Sequence, residues 1–169
     1  AVDLVGGHPE LASSAQAVAL ASRAYLEVVR SRSTSGDLAG ARELVDAGRA
    51  FAPRDVGLAE AQARGSAAQG RDEDALASWA EASSFAPEDA GLARAHAMAL
   101  SRLGRPAEAL PILERLAGRS PDDAPLAALA AATALAAGDS GAARRHAERA
   151  MELGYPLPES LLSRIPKEE

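Results

Sequence analysis

Residues 104–123 read GRPAEALPILERLAGRSPDD: a glycine, a helix-forming stretch, then a proline followed by two aspartates. The same order of residue types stands 34 positions earlier in GRDEDALASWAEASSFAPED and 34 before that in GDLAGARELVDAGRAFAPRD, and it returns 34 later in GDSGAARRHAERAMELGYPL. Helix-compatible sequence on both sides of each glycine makes the unit a helical hairpin repeated along the chain. Gly36, Gly70, Gly104 and Gly138 each end one alanine-rich pattern and precede another, where a helix stops in a left-handed conformation. Ala41, Ala75, Ala109 and Ala143 follow five residues on, where a methyl group lets two antiparallel helices approach. Val45, Trp79, Leu113 and Ala147 come four residues later on the same face, as a buried stripe requires, which puts the single tryptophan in the core. Pro53, Pro87 and Pro121 close three units, and Asp55, Asp89 and Asp123, two residues further, are placed to cap the next helix.

A 34-residue helix-turn-helix period with glycine, small residue, large apolar residue and terminal proline in that order resembles the tetratricopeptide repeat, over roughly residues 22–157. The resemblance implies an all-α, right-handed α-solenoid of four helix-turn-helix repeats (22–55, 56–89, 90–123 and 124–157) within a single domain, 1–169. The pattern departs from the family where a large residue is usual in each first helix: Val28 stands in the first unit, but Gln62, His96 and Ala130 in the others, which predicts looser packing there. Gln62 and His96 are expected to be mostly buried and hydrogen-bonded, within reach of one another. The ends differ from the repeats, as solenoid ends do. In the N-terminal extension, 1–21, Leu11, Ala15, Val18, Ser22, Tyr25 and Val29 keep a helical spacing, predicting one long first helix opened by Pro9 and running to about Arg32. After the fourth unit, residues 158–166 predict a short capping helix whose Leu161, Leu162 and Ile165 cover the last hairpin.

Composition narrows the chemistry. The 169 residues contain no cysteine, which excludes disulfides, thiol nucleophiles and cysteine-ligated metals while fitting cytoplasm and periplasm equally. The net charge of −6 argues against the phosphate-neutralising surface of a nucleic-acid binder. No apolar run is long enough for a membrane span, so the chain reads as soluble, and its start at alanine fits a processed form or a piece of something longer. His8, His96 and His146 have no second histidine or ligand at i+3 or i+4, so neither a catalytic nor a metal site is expected, and no cofactor. Asp72, Glu73 and Asp74 lack the glycine and glutamate of a calcium loop and suit a helix N-terminus instead. Arg144, Arg145 and Arg149 fall on a second helix and read as a solvated outer face.

In the family the first helices line the concave groove where partners bind. The register puts Arg23, Arg30, Glu60, Arg64, Arg94 and Arg102 on that side, with Glu60 the single carboxylate among the groove-facing rows. Met98, Ala128, Ala132 and Leu135 supply an apolar floor toward the fourth unit. The asparagine and lysine pattern with which some family members clamp a terminal carboxylate is absent, so that ligand does not carry over. These features imply a non-enzymatic scaffold or adaptor that binds a partner protein segment, acidic with apolar anchors. The alternatives are a structural module stacking on itself or on further repeats, and a regulatory array of a larger enzyme or sensor. Partner identity and oligomeric state are open at this level.

Overall fold

The computed structural model describes residues 15–165, and these are all-α. The chain divides between Glu88 and Asp89 into two compact units, each built from two antiparallel hairpins. Unit 1 contains α1 (Ala15–Thr34), α2 (Leu38–Phe51), α3 (Val56–Ala68) and α4 (Asp72–Phe85). Unit 2 contains α5 (Ala90–Arg102), α6 (Pro106–Arg119), α7 (Ala124–Ala137), α8 (Ser140–Glu152) and the one-turn α9 (Glu159–Leu162).

The hairpin turns form because the four register glycines adopt φ values of 82°, 70°, 71° and 82°, a region closed to most side chains. The residue after each glycine then donates its N–H back across the turn, as Arg71 does to the Ser66 carbonyl at 3.0 Å and Asp139 to the Ala134 carbonyl at 2.9 Å. First helices begin on aspartate caps: Asp55 accepts from the Leu58 N–H at 2.9 Å, Asp89 from Leu92 at 3.1 Å and Asp123 from Leu126 at 2.8 Å. Asp37 and Asp139 cap α2 and α8 in the same way. Asp72, Glu73 and Asp74 fill the first turn of α4, as expected of carboxylates near a helix N-terminus.

The register stripe is the core. Val45, Trp79, Leu113 and Ala147 are buried, as are Ala41, Ala75, Ala109 and Ala143. Gly48 in α2 is a point of close approach: a Cβ there would stand 3.0 Å from Leu58 and 3.2 Å from Tyr25, so the missing side chain is what lets Leu58 bury completely. Three expectations need revision. Ala130 is fully buried while Val28 is 38% exposed, because α7 lies against α6 of the hairpin before it and α1 has no such hairpin among the described residues. Gln62 and His96 are mostly buried, as expected, but the Gln62 amide oxygen is taken by an Arg49 N–H, a partner from α2. The first helix runs two residues further than expected, to Thr34; its predicted opening at Pro9 lies outside the described residues. At the C-terminus, α9 is a single turn, and Ile165 beyond it packs against the cluster of Leu110, Ala134, Ala142 and Ala143.

Candidate functional site

In unit 1, α1 and α3 lie side by side, and the start of α3 presses on Leu26: a Cβ on Gly57 would be 2.7 Å from the Leu26 Cδ1. Small residues continue along α3 at Ala61, Gly65 and Ala68, which leaves a cavity of about 600 Å³ walled by Leu26, Arg30 and Ser33 on one side and Glu60 and Arg64 on the other. That is the size of a small-ligand or side-chain pocket. Two arginines serve it differently. Arg30 is exposed and makes no ion pair among the described residues. Arg64 donates from Nε and Nη2 to the Glu60 Oε1 at 3.0 and 2.6 Å and lies 5.8 Å from the ring centre of Trp79, which is only 7% exposed. With Arg64 71% exposed, an i,i+4 pair of this kind contributes about 0–1 kcal/mol and leaves the guanidinium free to exchange Glu60 for another carboxylate.

A second cavity, of about 410 Å³, shares Val29, Ser33, Leu38, Ala61 and Gly65 with the first and extends among α2, α3 and α4. Arg49 spans it, donating to Gln62 on α3 and pairing with Glu81 on α4 at 2.5 Å, and Arg71 pairs with Asp74 at 2.8 Å. Its charges are matched internally, so it ties helices together. The sequence reading missed Arg49. Arg49 stands where the other units carry Ser83, Ala117 and Met151, an oddity of register that names no partner for it.

Unit 2 distributes its expected site residues less evenly. Arg94 pairs with Asp123, whose other oxygen caps α7, so Arg94 helps to fix the start of that helix. Met98 is 48% exposed, and Arg102 and Ala132 are exposed, with Ala128 half-buried. Leu135 is partly buried and packs on the cluster of Leu110, Ala134, Ala142 and Ala143, so its side chain serves the core rather than an open floor. In unit 1, Arg23 is exposed but lies outside the walls of the α1–α3 cavity. The structure thus brings Arg30, Glu60 and Arg64 together, leaves Arg23 apart, and engages Arg94 elsewhere.

Burial lowers the pKa of His96, aided by Arg105 and opposed by Glu108. Burial likewise lowers that of His146, whose Nε2 lies 3.9 Å from Glu114 beside a cavity of about 330 Å³ between α6 and α8. Arg149 in that region is committed to Asp122 at 3.0 Å and to the Pro121 carbonyl, and Arg145 stands 4.0 Å from Glu114. Among the described residues no three His, Asp or Glu side chains assemble as a metal ion would require, and no helix is long and apolar enough to cross a membrane.

The helical-hairpin fold is that of tetratricopeptide-repeat proteins. YrrB, described as a TPR protein with an unusual peptide-binding site, superposes with a TM-score of 0.68 at 16% identity over 76% of this chain and 66% of YrrB, so the chain spans just under two thirds of that protein. MamA from Desulfovibrio magneticus RS-1 gives 0.70 at 15% identity, covering 78% of this chain and 75% of MamA. MamA of AMB-1 gives 0.66 at 18% identity, covering 90% and 95% of the two chains. No family model matches the sequence, and no curated protein matches it.

Proposed function

We propose that the protein is a non-enzymatic tetratricopeptide-repeat adaptor, its four hairpins being four repeats, and that it holds a partner polypeptide on the first-helix face of α1 and α3. The observation that carries this is the α1–α3 cavity, in which Arg30, without an ion-pair partner among the described residues, and Arg64 over Trp79 stand beside small residues of α3. A carboxylate placed between the two guanidiniums has hydrogen-bond donors on both sides, and an apolar side chain beside it fits against Leu26 and the small residues. The partner segment is therefore acidic with an apolar anchor. The anchor matters, because a charged hydrogen bond contributes about 1.5–3 kcal/mol when shielded and an exposed ion pair about 0–1 kcal/mol. In unit 2 the first helices offer Met98, Ala128 and Ala132, apolar side chains at least partly exposed and suited to contact with a polypeptide. The peptide site named for YrrB supports a polypeptide as the ligand class, and the net charge of −6 supports a partner other than nucleic acid.

Selection from a displayed random-peptide library tests this. Enrichment of segments pairing Asp or Glu with a neighbouring large apolar residue is expected, and it is expected to vanish for Arg30→Glu combined with Arg64→Glu. Both side chains are exposed, so helicity should be retained. Enrichment of basic peptides, or the same selection by the double variant, would refute the assignment.

A further inference from the structure

Among the described residues, the face of α1 turned away from α2 and α3 is apolar and uncovered. Leu20 is 70% exposed and Val28 38%, with exposed Ala24 between them, at i, i+4 and i+8 on one side of the helix. Thirty-four residues on, Ala24 and Val28 correspond to Leu58 and Gln62 of α3, which are packed against α2: Leu58 against Gly48, and Gln62 on Arg49. The α1 stripe is therefore the same packing face, left without its neighbouring helix among the described residues.

We infer that this face pairs with the same face of a second copy of the chain, antiparallel, about a two-fold axis near Ala24. The stripe is self-complementary in size. Reversing it about Ala24 sets Leu20 against Val28 of the second copy in both directions, while the two Ala24 methyls meet at the axis and let the helices approach closely. It is also complementary in charge. Arg23 and Glu27 sit four residues apart on one shoulder of the stripe, and neither makes an ion pair among the described residues. In the antiparallel arrangement like shoulders face each other, and Arg23 comes within an axial rise of about 3 Å of Glu27 of the second copy, twice, against a single Arg23–Arg23 approach at the same rise, so attraction outweighs repulsion. The end of unit 2 argues against a head-to-tail contact, since Ile165 already packs on the cluster of Leu110, Ala134, Ala142 and Ala143. A face that meets its own copy needs no such second surface.

A single pair of helices belongs to the small, transient class of interfaces, so a monomer–dimer equilibrium with Kd between about 10 µM and about 1 mM is expected. Sedimentation equilibrium of the 169-residue chain across that range reads it directly. The wild type should dimerise with rising concentration, and Leu20→Glu should be monomeric throughout with unchanged helicity, because that side chain is already exposed. Arg23→Glu and Glu27→Arg should each weaken the dimer by about tenfold, and the two together should restore it. The inference is overturned if the wild type stays monomeric over the whole range, if Leu20→Glu dimerises as the wild type does, or if the double reversal associates no more tightly than either single variant.

Discussion

Partly buried imidazoles at His96 and His146 give the fold a pH dependence that carboxylates alone would not. Both pKa values lie below the usual 6.5, with desolvation the leading cause, so the unfolded chain takes up protons before the folded one as pH falls. Their contribution is complete above about pH 6.5, declines as pH falls through the interval down to the lowered folded values, and then levels. Asp37, held low chiefly by the Gly40 N–H, and Glu108, held low chiefly by Arg105, lose their contributions only in the acid range, as pH falls below about 4–5. Urea unfolding at about pH 7.5 and about pH 5.5 should show the wild type losing stability between them and His96→Gln with His146→Gln losing less. Equal losses would mean that neither imidazole resists protonation. At this scale the sequence showed whatever was local. The Asp55, Asp89 and Asp123 caps were readable because donor and acceptor lie within three residues of each other. The Arg49, Gln62 and Glu81 contacts were not, because three helices meet there and no spacing announces it.

The turns between helices were legible at the register glycines, prolines and aspartates, since these act through backbone conformation, whereas the expected capping helix over 158–166 is only one turn. Helix faces were less legible. Leu135 was assigned to a groove from its place toward the fourth unit, but the α7 to α8 packing turns it inward. Val28 was taken as the regular large residue of its helix, yet its burial depends on a neighbouring hairpin that the register cannot supply for the first repeat. One element carries an internal defect. Pro111 lies within α6, where it lacks the N–H that would reach the Ala107 carbonyl and where its ring crowds that carbonyl. Its position is exposed, so Pro111→Ala removes the defect without opening a cavity. The substitution should raise stability by about 1–3 kcal/mol in urea unfolding, somewhat less than the full helix-interior penalty. A loss of stability would show that the ring makes contacts worth more than the missing hydrogen bond.

For the molecule as a whole, the 34-residue period was enough to establish an all-α chain of paired helices, because it repeats four times with the same punctuation. Which arginines face a partner was only partly readable. Register placed Arg30, Arg64 and Arg94 on equivalent faces, but ion pairing separates them: Arg94 is bound to a cap residue of the next first helix, while the ion pair Arg64 makes among the described residues is with an exposed i,i+4 carboxylate. Binding on the α1–α3 face is the central claim, and Trp79 beneath Arg64 is a built-in reporter of it. The most direct test is a titration of the isotope-labelled chain with an acidic peptide recovered by display, followed by amide and indole chemical shifts in NMR. Shifts concentrated at Leu26, Arg30, Glu60 and Arg64, with the Trp79 indole moving in step, are the expected result. Saturable shifts confined to the α2–α4 cavity around Arg49, or to the Leu20–Val28 face of α1, with the α1–α3 residues unmoved, would contradict it.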